Sequence, residues 1–197
     1  MRFRSSRTGL LVGLTVLLLA GPAFAQERGS TALVTGYPGT IGMLWHASDN
    51  LALRPELLIT TSTGTSETGI DDVVNESDAW ALGVGLSALF YMAEADKVRP
   101  YLSPRFTYTR QSADTGYTSD SLPGSTTRTN DFNVSFSFGS QYMPVERFGV
   151  FGEAGLGFAR RSSERVTNGA PGPSSFTTKA TTISIGTRYA IGVVFYF

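Results

Sequence analysis

Ile183-Ser184-Ile185-Gly186-Thr187-Arg188-Tyr189-Ala190-Ile191-Gly192-Val193-Val194-Phe195-Tyr196-Phe197 alternates without a break in parity. The odd positions are Ile, Ile, Thr, Tyr, Ile, Val, Phe and Phe; the even ones are Ser, Gly, Arg, Ala, Gly, Val and Tyr. Successive side chains of a strand point to opposite faces, so the stretch reads as one long strand with an oily face and a small, polar one.

The same period recurs upstream. Trp80, Leu82, Val84, Leu86, Ala88, Phe90 and Met92 alternate with Ala81, Gly83, Gly85, Ser87, Leu89 and Tyr91. Phe132, Val134, Phe136 and Phe138 alternate with Asn133, Ser135, Ser137 and Gly139, continuing to Gln141. Phe148 to Arg161 follows more weakly, and Leu51 to Thr61 and Arg99 to Gln111 are less regular strands. Their connections alternate in length. Ser48-Asp49-Asn50, Glu94 to Val98 and Pro144 to Arg147 are short, whereas Gly64 to Ser77, Ala113 to Asn130 and Ser162 to Phe176 are long and rich in Ser, Thr, Gly, Asp and Pro.

Short turns on one side and long loops on the other describe a meander between unlike compartments, as in an outer-membrane barrel with periplasmic turns and extracellular loops. An even strand number requires two more strands before Asn50. Ser30 to Gly36 and Thr40 to Ala47, joined by the turn Tyr37-Pro38-Gly39-Thr40, supply them. The expected fold is all-β: an antiparallel up-and-down transmembrane barrel of about eight strands, the class whose interior is filled by side chains. Pro38 and Pro55 restrict the front strands, because proline is tolerated only at edges, ends or bulges.

A soluble ligand-binding barrel would alternate too, with its apolar side inward and a water-facing exterior rich in Lys and Glu. Here the polar face is mostly Gly, Ser, Thr and Asn, and Lys97 and Lys179 are the only lysines. Trp45, Tyr142 and Phe148 fall near the proposed short turns, and Trp80, Phe132 and Phe158 near the long loops, as two interfacial girdles would require.

The front of the chain reads as an export signal. Arg2, Arg4 and Arg7 precede an apolar run from Leu10 to Ala20, and Ala23-Phe24-Ala25 offers a small-residue cleavage site after Ala25. The run is about half the roughly 20 residues a spanning helix needs. The expected division is therefore a cleaved leader over 1–25 and a barrel domain over 26–197. Removing the leader leaves 13 basic against 16 acidic residues, a net charge of −3 that argues against a nucleic-acid partner. With no cysteine and a single histidine, no disulfide framework, metal site or cofactor is expected.

The ending Tyr189-Ala190-Ile191-Gly192-Val193-Val194-Phe195-Tyr196-Phe197 resembles the C-terminal assembly signal of bacterial outer-membrane proteins, carried by Tyr189, Ile191, Val193, Phe195 and the terminal aromatic Phe197. Gly42 to Leu57, with Trp45-His46-Ala47-Ser48-Asp49-Asn50 at its centre, resembles the first periplasmic turn of the outer membrane protein beta-barrel domain family, related to the OmpA and OmpX barrels. The resemblance implies insertion by the barrel-assembly machinery and location in the cell outer membrane; it implies no activity. It also places outer-membrane lipids, including lipopolysaccharide, around the wall, and a monomer is expected. No peptidoglycan-binding segment is expected after Phe197.

Parity turns five charges inward: Arg54, Glu56, Arg105, Glu153 and Arg188. Inside a narrow barrel they must pair, because breaking a buried pair costs about 3–5 kcal/mol. They suit either a static plug that fixes strand register or a gate that swaps partners and admits ions, and the plug is the simpler expectation for a small barrel. A lipid-modifying enzyme would need a histidine near the external rim, whereas His46 sits beside a short turn, so no enzymatic role is expected. Two surface clusters remain. Glu67, Asp71, Asp72, Glu76 and Asp78 suit a solvated acidic loop, and Arg160, Arg161 and Arg165 suit either solvation or lipid phosphates.

Overall fold

Backbone N–H and C=O groups along an alternating strand find partners only on neighbouring strands, and closing the ring removes the edges at every level where all the strands are present. The computed structural model describes residues 28–68, 73–92, 97–117, 123–168 and 175–197. The expected leader lies outside them. Eight antiparallel strands form a closed barrel in sequence order: β1 (Thr31–Tyr37), β2 (Thr40–Ser48), β3 (Leu51–Thr68), β4 (Val73–Tyr91), β5 (Val98–Tyr117), β6 (Ser125–Val145), β7 (Phe148–Asn168) and β8 (Ser175–Tyr196). β1 closes the ring on β8, from Ala32 opposite Tyr196 to Tyr37 opposite Ile191.

The faces fall as the alternation predicts. Val84, Leu86, Phe136, Phe138, Leu156 and Ile191 are exposed on the outer wall, with Ile59 70% and Ile185 79% accessible. Arg54, Glu56, Ser87, Ser103, Ser137 and Glu153 are buried within. This inverts a soluble protein and disposes of the ligand-binding barrel with an apolar interior. From Trp80 to Met92 the outer belt rises about 30 Å, taking about 3.3 Å per residue and a tilt of about 40°, close to the band a bilayer demands.

Three expected loops prove to be strand for most of their length. β3 and β4 stay paired up to Thr68 opposite Val73, β5 and β6 up to Thr115 opposite Ser125, and β7 and β8 up to Asn168 opposite Ser175. The strands thus stand well above the apolar belt. Alternation reports a contrast of medium across a sheet, and where both faces meet water the contrast vanishes while the hydrogen-bonded ladder persists. Thr, abundant in Thr60-Thr61-Ser62-Thr63 and Thr126-Thr127-Arg128-Thr129, suits such a sheet.

The front hairpin is short, as its length in the sequence requires, and Gly39 (φ +48°) takes the left-handed position of its turn. Beside Pro55 the β2–β3 ladder lapses between Gly42 opposite Glu56 and Trp45 opposite Leu53, resuming in the same register. A missing donor is thereby absorbed without a shift.

Inside the wall Gly139 sits opposite Tyr101 and leaves room for its ring. A Cβ there would lie 2.6 Å from the Tyr101 ring, whereas at Gly157 the nearest atom would be 3.5 Å away. Gly139→Ala is expected to destabilise the refolded barrel by about 1–3 kcal/mol through overpacking. Gly157→Ala should leave the urea midpoint of unfolding nearly unchanged.

Candidate functional site

Arg54 and Glu56 are two apart on β3 and therefore share the inner face; Arg105 on β5, Glu153 on β7 and Arg188 on β8 reach the same level from across the barrel. The structure joins all five in one chain of alternating sign. Arg105 pairs with Glu56 Oε2; Glu56 Oε1 accepts from Arg54 Nε at 2.7 Å; Arg54 Nη1 reaches Glu153 Oε1 at 2.8 Å; Glu153 Oε2 meets Arg188 Nη1 at 2.6 Å. Ser87 donates to Glu56 Oε1 at 3.0 Å, and Tyr101 donates to Glu153 Oε1 at 3.0 Å. Both carboxylates are thus flanked by two cations and a hydroxyl donor, the condition under which buried charge is tolerated.

Beneath this network, at the short-turn end, lies a layer of rings and amides. His46 stacks on Tyr91 with centroids 5.4 Å apart, and its Nε2 lies 3.1 Å from the Tyr196 hydroxyl. Tyr91 donates to Gln141 Oε1 at 3.0 Å, and Gln141 Nε2 donates to Tyr196 at 3.0 Å. The Arg99 guanidinium sits 4.6 Å above the Tyr91 ring and donates to the Asp49 carbonyl at 2.7 Å. Leu44, Leu89, Tyr101 and Val194 complete a small buried core beside it.

Above the network the barrel widens into a cavity of about 580 Å³, floored by Arg54, Glu56, Arg105 and Arg188 and bordered higher up by Asp131 and Arg161. Arg161 Nε donates to Asp131 Oδ2 at 2.8 Å. This second ion pair is hidden in the sequence because Asp131 borders a segment expected to be loop, although the two residues share inward parity once β6 and β7 are extended. The lower ring layer is hidden as well; alternation places Gln141, Tyr91 and Tyr196 on an inner face, and nothing in their spacing says that they meet.

The basic cluster does not hold together as one surface. Arg160 lies on the outer face opposite Ile183, while Arg161 and Arg165 turn inward, Arg165 donating to Ser125 Oγ at 3.1 Å. Parity splits neighbours that the linear sequence groups. Of the acidic segment, Asp71 and Asp72 lie outside the described residues. Glu76 and Asp78 belong to β4 rather than to a loop, with Asp78 opposite Asp114, which accepts from Thr126 at 2.7 Å. Among the described residues no three His, Cys, Asp or Glu side chains gather as metal ligands.

Tyr189, Ile191 and Phe195 are exposed on the outer face of β8, with Val193 of the same parity, and the Phe197 amide donates to the Thr31 carbonyl at 3.2 Å. Trp45 and Tyr142 near the short turns, and Trp80, Phe132 and Phe158 at the upper limit of the belt, are all exposed outward. Phe148 instead packs against Phe195, centroids 5.0 Å apart.

The closed eight-stranded ring, apolar outside and charged within, has a counterpart among solved structures. A major outer membrane protein from Thermus thermophilus is 13% identical, aligns over 85% of this chain and 97% of its own, and superposes with a TM-score of 0.54. The chain has the fold of an outer-membrane β-barrel. Ail, the attachment invasion locus protein of Yersinia pestis, is 11% identical over 87% of this chain and 100% of its own, with a TM-score of 0.41. CarO2 of Acinetobacter baumannii is 13% identical over 87% and 99%, with a TM-score of 0.40. Neither superposition is close enough to add to the first. No family model matches the chain, and no curated protein matches it by sequence.

Proposed function

We propose that this chain is exported by its N-terminal leader, inserted by the barrel-assembly machinery, and resides in a bacterial outer membrane as a small OmpA- or OmpX-like barrel with a plugged interior and a structural or surface-interaction role. The observation that carries this reading is the inverted distribution of side chains: a belt of large apolar groups outside and a fully paired charge network inside. Water cannot favourably wet such a belt, and hydrocarbon can.

The strands that rise beyond the belt then present a polar, hydroxyl-rich sheet to the cell exterior. Just above the belt, Arg110 opposite Asn130, Arg128 two residues beyond Asn130, and Arg160 opposite Phe132 face outward, where outer-leaflet lipids such as lipopolysaccharide place phosphates. His46, held between Tyr91 and Tyr196 at the short-turn end, is assigned to packing, and no catalytic residue or cofactor is proposed.

The network and the ring layer beneath it support a plug over a pore. The tagged full chain is expected to fractionate with the outer membrane and to give no unitary current when the purified barrel is added to a planar bilayer. Discrete conductance steps that change when Arg105 is replaced by Gln would make it a gated pore instead, and recovery in the periplasmic fraction would remove the membrane reading.

A further inference from the structure

The wall of the barrel is not equally tall all the way round. β1 ends at Tyr37 opposite Ile191, and β2 begins at Thr40 opposite Leu58, while β8 continues up to Ser175 and β3 up to Thr68. Among the described residues, β8 above Ile191 pairs only with β7, and β3 above Leu58 pairs only with β4. Two strands separate β3 from β8 at this level, so the notch above the Tyr37–Thr40 turn starts about 14 Å wide, from about 4.8 Å per strand spacing.

The notch opens inside the apolar belt, not above it. On β8 the exposed apolar residues Tyr189, Ile185 and Ile183 continue eight positions beyond Ile191, roughly 20 Å of height at ordinary strand rise and tilt. The cavity behind it communicates with this opening. Its lining includes Gly186 and Arg188 of the inner face together with Thr187 and Tyr189 on the unpaired stretch of β8 and Tyr37, Pro38 and Thr40 at the top of the front hairpin, so the cavity reaches the rim of the notch.

Irregular or unpaired backbone at membrane depth is tolerated where it lines a polar cavity that water can enter, and this edge borders a cavity lined by charged side chains. The charge of that cavity is lopsided. Arg54, Arg105, Arg161 and Arg188 line it against Glu56 and Asp131, and Glu153 lies below.

We propose that the notch is a lateral entry through which the barrel takes up a single-chain anionic amphiphile, its carboxylate or phosphate head held in the cavity by Arg188, Arg105 and Arg161 and its alkyl tail left among Ile59, Ile183, Ile185 and Tyr189. The occupant follows from the surroundings: cations inside call for an anionic head, and the opening at belt height calls for a tail in hydrocarbon. A free anion lacks the second of these. This inference rests on the membrane reading given above.

The test uses the full barrel refolded in dodecyl maltoside, its folded state verified by faster migration on gels before heating, and dodecyl phosphate as the probe in calorimetric titration. One saturable site is expected. Inorganic phosphate should bind at least about a hundredfold more weakly, since it forgoes the burial of several methylenes. Gly186→Trp is the decisive variant, because a Cβ at Gly186 meets open space and the new ring would occupy the cavity without disturbing the network. It should keep the fast-migrating band and weaken dodecyl phosphate at least about tenfold, and Arg161→Gln should weaken it by about tenfold, the scale of one charge-assisted hydrogen bond.

A folded barrel with no saturable site, equal affinity for inorganic phosphate, or unchanged binding by Gly186→Trp would each overturn the proposal. So would a stable dimer, seen as doubled protein mass in detergent-corrected sedimentation, in which a second copy zips onto the β8 edge and blocks binding. A chain that folds without detergent would instead overturn the membrane reading itself.

Discussion

Glu153→Gln is expected to lower the stability of the detergent-refolded barrel by about 3–5 kcal/mol, the usual cost of breaking a buried ion pair from one side. Glu153 is the only partner carboxylate of Arg188 in the network and one of two for Arg54, at 2.6 and 2.8 Å, and its side chain is fully buried. The amide retains the shape and one acceptor for Tyr101 but leaves two guanidinium groups short of an anion. Glu164→Gln is the control, because Glu164 meets Lys179 at 3.5 Å on the exposed outer face, where an ion pair contributes about 0–1 kcal/mol. Urea titration of the fast-migrating gel band measures both. Equal midpoints for the two variants would mean that the interior charges are not holding the barrel together.

The second large effect concerns the outer wall. Val84→Arg and Phe136→Arg place a guanidinium in the belt, and each is expected to cost about 2–4 kcal/mol in a bilayer. Thr63→Arg adds the same group to β3 above the belt, where it meets water, and is expected to change stability by less than about 1 kcal/mol. Folding yield and urea midpoint in lipid vesicles distinguish them. Similar tolerance at Val84 and Thr63 would contradict the lipid-facing orientation.

Where the two faces of a strand meet different media, the residues declare it. Val84, Phe136 and Ile185 can be assigned to the wall, and the five interior charges to the lumen, from parity alone, because a two-residue period leaves each side chain only one face. What parity lacks is height and circumference. Nothing in the spacing of Arg54 and Arg188 states that Glu153 lies between them, which depends on register between strands distant in sequence. The strand extensions escape for a related reason: Thr126 to Asn130 is polar on both faces and Thr177 to Thr182 is too but for Ala180, so they lack the contrast that marks a strand although each is paired.

The notch between β3 and β8 is legible only in part. Seven- and nine-residue strands are visibly shorter than their neighbours once those are known to be 18 to 22 residues long. With the neighbours read only as far as their alternation runs, the difference shrinks. The ring layer of His46, Tyr91, Gln141 and Tyr196 draws on four segments of the chain, and its hydrogen bonds depend on rotamers that no local pattern dictates.

Whatever surrounds Ile59, Val84, Phe136 and Ile185 decides the rest. The direct measurement is to dilute the urea-unfolded chain from Gln26 to Phe197 into buffer with and without dodecyl maltoside micelles, then follow unheated gel mobility and sedimentation. Hydrocarbon around the belt predicts a compact, heat-sensitive band only when micelles are present, and aggregation without them. A folded, monodisperse monomer in plain buffer would contradict it.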